Sequence, residues 1–221
     1  MSRRFTRSDR LVDQFDTMLR TLVPGATRAS RACPGGGVPD QPMTADEKRY
    51  SIASLRHQHR ARVMGQGLYQ GQRLVTGMSS QYQPVDDLSV RGIDHLAWCE
   101  ARLEDLRARP SRLVPVYYAA SLGAGVLLSQ RDRGMGLGLV NTSENLQAES
   151  LERQLAALPL GDNRSRAVMR QMLDDCTRHS RHALESGGQR WPEPVRWLLS
   201  FCGWGSERLC LRKKGRAELA D

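Results

Sequence analysis

The sequence predicts an all-α protein built as a bundle of five or six helices. Three observations lead there. Leu, Ala, Arg, Glu and Gln, all good helix formers, dominate the composition. Apolar residues recur three and four positions apart, and no stretch alternates with the period of two that marks a strand. Pro and Gly fall between the periodic stretches, where they would stop helices and turn the chain. The 221 residues are 39% hydrophobic and 26% charged, which suits one domain with tails and is too apolar for a wholly disordered chain. Aromatic residues, at 5%, are too scarce for a β-sandwich core or a base-stacking platform.

Residues 8–22 read as an amphipathic helix. Leu11, Phe15, Met18 and Leu22 share one face, Ser8 is the N-cap, and Pro24-Gly25 end it. Residues 1–23 thus form an N-terminal amphipathic helix. Residues 24–43 hold Pro34, Gly35, Gly36, Gly37, Pro39 and Pro42 and almost no large apolar side chain, which predicts a flexible linker. The bundle then spans 44–211. Thr44 caps a helix over about 45–78, with Glu47 at capping-box spacing. Pro84 opens a second over about 85–108, stopped by Arg109-Pro110. An apolar third segment covers 113–131. A fourth covers about 135–158 and ends at Pro159 and Gly161. A fifth runs from about 162 to 186, before Gly187-Gly188. A sixth, over about 193–211, follows Pro192 and carries Trp197, Leu198, Phe201 and Trp204. Residues 212–221 predict a disordered tail.

The formal charge is +9, and of the 33 basic residues only Lys48, Lys213 and Lys214 are lysines. The arginines are dispersed, with no recognition-helix motif, which disfavours nucleic acid and leaves two readings, an anionic membrane surface or no specific partner at all. The five cysteines, Cys33, Cys99, Cys176, Cys202 and Cys210, are odd in number and lack C-x-x-C spacing, and no apolar leader precedes them. They read as reduced thiols in the cytoplasm. Leu113 to Gln130 is uncharged but carries Pro115, two tyrosines and several serines and glycines, too weak a pattern for a membrane span. Flanked by Arg107, Arg109, Arg112, Arg131 and Arg133, it predicts a helix lying on a membrane surface; a buried bundle helix is the other arrangement.

Two places carry candidate chemistry. His95 lies on the second bundle helix. Cys176 and His179 stand at i, i+3 on the fifth, on one helix face. Glu144, on the fourth, is the one charged residue between Gly134 and Ala148. Spacing alone favours the plainer reading, partly exposed histidines and a small buried thiol.

Several segments, in order, carry a resemblance: MSRRFTRSDRLVDQFDTMLRTLVPG at 1–25, GLYQGQ at 67–72, HLAWCEARL at 95–103, RPSRLVPVYYAASLGAG at 109–125, RSRAVMRQML at 164–173 and Pro192 to Arg196. Together they resemble the bacterial demethoxyubiquinone hydroxylases, di-iron monooxygenases of ubiquinone biosynthesis. The resemblance implies a ferritin-like four-helix bundle with additional membrane-surface helices. It implies iron as cofactor, two ions per chain, held by Glu, Glu-x-x-His, Glu and Glu-x-x-His on successive helices. It further implies oxygen-dependent hydroxylation of a quinol ring and peripheral attachment to the cytoplasmic face of the cell membrane. The implied partners are a quinone lipid and either a second copy or a biosynthetic complex, with no nucleic acid.

Carried over position by position, three ligands remain: His95, Glu144 and His179. Three are replaced: the first Glu is Arg62, the Glu before His95 is Gly92, and the Glu before His179 is Cys176. Four carboxylates would balance two ferrous ions, whereas here Glu144 and Arg62 sum to zero. The expectation is therefore a metal-free centre in which Arg62 pairs with Glu144. A second arrangement joins Asp175, one turn before His179, to Glu144, Cys176, His179 and His95 around one zinc ion. Either leaves hydroxylation by this chain impaired or lost, and the alternative function is a non-catalytic quinone-lipid-binding or scaffold protein.

Overall fold

The computed structural model describes residues 7–23, 25–26, 28–76, 83–130 and 133–194. Among them every element is a helix: α1 (Arg7–Leu22), α2 (Ala45–Thr76), α3 (Gln83–Asp105), α4 (Val114–Ser129), α5 (Arg133–Ala157) and α6 (Asn163–Glu185). The boundaries lie within a few residues of those the sequence predicts. The helix expected over 193–211 and the tail at 212–221 lie, from residue 195 on, outside the described residues.

Local chemistry sets the helix ends. At the start of α2 the Glu47 carboxylate accepts from Thr44 N at 2.8 Å and Thr44 Oγ1 at 2.9 Å, while Glu47 N donates to Thr44 Oγ1 at 3.3 Å. Asp162 caps α6 by accepting from Ser165 N at 3.0 Å. Between α3 and α4 the chain turns through Arg107 in the left-handed region, φ 57°.

Helices α2, α3, α6 and α5 pack in a ring, each touching the next, and so form the four-helix bundle. Its apolar core is split in two. One part surrounds Leu55, Trp98, Leu103, Leu151 and Met169, and the other is Tyr69, Leu137, Val140 and Ala183. Between them α2 turns Gln58, His59, Arg62 and Gln66 inward, all buried. A polar layer therefore crosses the middle of the bundle, bounded above and below by hydrocarbon.

Helix α4 packs against the outside of α2 at backbone contact. A Cβ on Gly71 would lie 2.2 Å from the Leu122 carbonyl oxygen, and one on Gly125 would lie 2.2 Å from that of Leu68. Val114 and Tyr118 are buried in this seam together with Val63, Ile93 and Leu96, and Met18 and Leu22 of α1 cover them. The opposite side of α4 leaves Val116 63% and Leu127 69% exposed. So α4 is neither wholly buried nor detached: one face is bundle, and the other is bare and apolar. Helix α1 likewise leaves Val12 68% and Phe15 57% exposed, so of the apolar face expected from the sequence Met18 and Leu22 pack on the bundle while Phe15 does not.

The described residues of 24–43, a stretch whose composition predicts a flexible linker, make specific contacts with the bundle. They form a strap held to the bundle at both ends. Arg31 Nε donates to Asp94 of α3 at 2.6 Å, and its Nη2 donates to Asp175 of α6 at 2.8 Å. The guanidinium lies 4.8 Å from the centre of the Trp98 ring, and Trp98 Nε1 donates to the Arg31 carbonyl at 3.4 Å. Cys33 packs on the apolar core, and Gln41 N donates to the Gly161 carbonyl at 2.9 Å. Asp40 meets Arg102 at 2.7 Å. The anchors are polar, so a segment poor in apolar residues is nonetheless pinned.

Arg31→Ala removes the cation shared by Asp94 and Asp175. Asp175 keeps other cationic neighbours, so the expected loss is about 1–3 kcal/mol of stability. Limited proteolysis should then cleave within 28–41 well before cleavage of the wild-type protein. Equal cleavage rates would show that the strap does not depend on this residue.

Candidate functional site

The polar layer gathers the positions that the sequence singles out. Arg62 of α2 is 0% exposed. Its Nη1 donates to Glu144 Oε1 of α5 at 3.0 Å, and its Nη2 donates to Cys176 Sγ of α6 at 3.1 Å. The Tyr69 hydroxyl, one helical repeat along α2, donates to the same Glu144 oxygen. His179 Nδ1 stands 3.6 Å from Glu144 Oε2. Arg62, Glu144, Cys176 and His179 thus converge, as expected, and Tyr69 joins them. No sequence signal pointed to Tyr69 beyond its place in the segment GLYQGQ.

His95 faces the same centre but is held from its far side. Its Nε2 contacts Asp175 Oδ2 at 2.8 Å, and its buried Nδ1 has no hydrogen-bond partner among the described residues. Asp175 does not join Glu144, Cys176 and His179, contrary to the zinc arrangement. It points to His95 and Arg31, takes a bond from Gln171 at 3.1 Å and meets Arg178, with Arg91 3.9 Å away. The cause is the helix itself: residues 175 and 176 are neighbours about 100° apart, so both cannot face one point. Among the described residues, no group of three or more His, Cys, Asp and Glu side chains is gathered to hold one ion.

The space that a side chain at position 92 would use is filled. A Cβ on Gly92 would lie 2.3 Å from Gln66 Nε2 and 3.3 Å from Arg62 Cδ. The Gln66 amide and the Arg62 stem have moved into the volume that the glycine leaves. His59, close by, pairs with Glu100 at 3.1 Å, and Glu100 also accepts from Gly25 N at 3.0 Å.

Electrostatics follow from burial and from Arg62. Burial alone would raise the Glu144 carboxyl; Arg62, with His179 and Tyr69, outweighs it and holds the group well below the usual carboxylate range. Burial pushes the Cys176 thiol and the Tyr69 hydroxyl well above their ordinary values, so both are neutral. Burial and then Arg62 lower His95 from 6.5 to about 4, so it is neutral at pH 7. Arg62 and Glu144 are thus a cation and an anion in direct contact.

Glu144→Gln leaves the buried guanidinium without its counter-charge and should cost about 3–5 kcal/mol in denaturant unfolding. Replacing both partners, Arg62→Leu with Glu144→Leu, should cost much less, because neither change then strands a charge. An equal cost for the single and double variants would refute the ion-pair account. Acid should also destabilise the fold in a set order. Between pH 6.5 and about 4 the unfolded chain protonates His95 and the folded chain does not, so stability falls as pH falls. Below about 4.5 Glu144, whose folded value is depressed, adds a loss of the same sign. In His95→Gln the first part of this decline should be smaller.

Comparison with known proteins agrees with the resemblance read from the sequence. Residues 49–202 match the family described as ubiquinone biosynthesis protein COQ7. The 3-demethoxyubiquinol 3-hydroxylase of Chromohalobacter salexigens is 43% identical over 196 residues, which cover 89% of this chain and 92% of that protein. Those of Pseudomonas putida and Azotobacter vinelandii are each 36% identical over 199 residues, covering 90% of this chain and 93% of theirs. With these matches over most of its length and a helical bundle to carry them, this chain belongs to the COQ7 family of ubiquinone biosynthesis proteins.

Proposed function

We propose that this chain serves ubiquinone biosynthesis as a quinone-lipid-binding member of its family, without carrying out iron-dependent hydroxylation. One observation carries the reading: the fully buried guanidinium of Arg62 sits between Glu144 and Cys176, at the centre where the resemblance puts the metal ligands.

The donor set does not fit two irons. Two ferrous ions carry +4, and the six positions offer a net charge of zero once Arg62 and Glu144 are counted. An arginine stays protonated, so it cannot become a ligand. Repulsion between a guanidinium and a divalent ion a few Å away in a poorly screened interior is large on any scale of effective dielectric. His95, Glu144 and His179 are the retained positions, but Glu144 is already neutralised by Arg62, and Gln66 occupies the side of the site that Gly92 vacates. The residues favour an ion-paired centre, and no oxygen chemistry is assigned to it.

Lipid contact is supported on the outside of the bundle. No helix among the described residues is long and apolar enough to cross a membrane. The bare faces of α4 and α1 expose Val116, Leu127, Val12 and Phe15, and Arg109 and Arg112 are exposed just before α4. Such a face can lie in the interface with its arginines at the phosphates. This supports peripheral attachment to a membrane, where a long-tailed quinone resides; the cytoplasmic face is what the family resemblance implies. Within a biosynthetic complex the chain would then hold the lipid or a neighbouring subunit.

Two measurements test the proposal. The purified chain, incubated anaerobically with excess ferrous iron and desalted, should retain far less than one iron per chain, and it should not restore ubiquinone in a strain lacking its hydroxylase. Two tightly held irons, or restored ubiquinone, would overturn it. The combined variant Arg62→Glu, Gly92→Glu, Cys176→Glu should gain iron binding, since only the flexible end of Gln66 must move to admit residue 92. Separately, Leu127→Asp with Val116→Asp should reduce co-sedimentation with anionic liposomes carrying a quinone. Unchanged sedimentation would remove α4 from the membrane contact.

A further inference from the structure

A cavity of about 360 Å³ lies between α5 and α6, lined by none of Arg62, Glu144, Cys176 and His179. Asn141 and Asn145 of α5, with Thr177, Ser180 and Arg181 of α6, line it, and Arg190 comes in from the turn that follows. No carboxylate lines it. Most of the interior arginines, Arg31, Arg62 and Arg102 among them, are paired with acids. Arg181 and Arg190 have no such partner among the described residues.

The floor is fixed before any ligand arrives. Asn141, 4% exposed, donates through Nδ2 to the Ser180 carbonyl at 3.0 Å and to Ser180 Oγ at 2.7 Å. Ser180 Oγ donates to Asn145 Oδ1 at 2.6 Å, and Asn145 Nδ2 donates to Asn141 Oδ1 at 3.4 Å. Both amide oxygens are thus occupied within the floor, and the Thr177 hydroxyl gives its proton to the Leu173 carbonyl at 3.0 Å. What remains free to reach into the cavity is mainly donor: two guanidiniums and the second N–H of Asn145.

The wall that carries Arg190 is also fixed. Gly187 turns the chain at φ 94°, and Gly188 N donates to the Ala183 carbonyl at 3.0 Å. A Cβ on Gly138 would lie 1.9 Å from the Gln189 carbonyl oxygen, so the turn rests directly on α5. Two guanidiniums brought to one donor-rich cavity, with the nearby acceptors already used, select an anion with several oxygens.

We infer that this cavity is a binding site for a phosphate group, carried either by a soluble phosphorylated molecule or by an anionic lipid headgroup. The site is separate from the bundle centre and does not depend on the function proposed above. Two guanidiniums and an amide match the oxygens of one phosphate or diphosphate, and the cavity leaves room for a small substituent beside it.

The test uses the full chain at low salt. Inorganic pyrophosphate is titrated by calorimetry, and vesicles of phosphatidylglycerol or phosphatidylcholine are used in co-sedimentation. Arg181→Gln and Arg190→Gln are compared with wild type, with circular dichroism and melting as the check on folding; Arg170→Gln, on the same helix outside the cavity, is the charge control. If the source is soluble, pyrophosphate binds and each cavity variant weakens it roughly tenfold or more, while Arg170→Gln does not. If the source is a lipid, phosphatidylglycerol binding falls in the cavity variants alone, with phosphatidylcholine unaffected. The inference is overturned if neither ligand distinguishes the folded cavity variants from Arg170→Gln, because binding would then follow net charge and not this site.

Discussion

A single ion pair, Arg62 with Glu144, organises the interior. It lies where the apolar core is interrupted, and it joins α2 to α5 and, through Cys176, to α6. Such a pair is a demanding element. Removing two charges from water costs several kcal/mol per ion, and only close geometry with further hydrogen bonds offsets this. The neighbouring groups supply that geometry. Tyr69 donates to Glu144, and His179 stands beside it. Cys176 and His95, both facing the pair, are neutral and add no charge to it. Around this pair the remaining polar side chains of the layer have settled: Gln66 over Gly92, and His95 turned to Asp175.

Much of this was legible in the sequence, for identifiable reasons. The helices follow from periodicity and from Pro and Gly at their ends. The Thr44 and Glu47 capping box was visible as a spacing and is present as a geometry. The convergence of Arg62, Glu144, Cys176 and His179 follows once the register on each helix is known, because i, i+3 and i, i+4 positions share a face. Three features were hidden. Asp175 lies one position from Cys176, so it faces a different neighbour, and only the packed bundle shows that this neighbour is His95. Gly92 announces a lost carboxylate but not that Gln66 fills the gap. The stretch 24–43 has the composition of a linker, and its attachment depends on partners far away in the chain, Asp94 and Asp175, which no local pattern reveals.

The layer also relates this chain to its relatives. The Chromohalobacter salexigens relative is 43% identical over 196 residues, and at the three positions where the resemblance implies carboxylate ligands this chain has Arg62, Gly92 and Cys176. The same helix faces that can converge on metal ions can converge on a guanidinium, because both bring positive charge to the centre of four helices.

The strap has a consequence for the order in which the molecule is made. Arg31 and its partner Asp175 are 144 residues apart, and Ser30 and Asp94 are 64 apart. As the chain leaves the ribosome, the strap is synthesised first, yet the acid it shares with His95 is among the last residues of the described chain to emerge. The contact to Asp175 has to wait until α6 has been made, whereas the contacts of Ser30 and Arg31 to Asp94 require only α3. Synthesis order thus allows this segment to be pinned in two stages, first to α3 and then to α6.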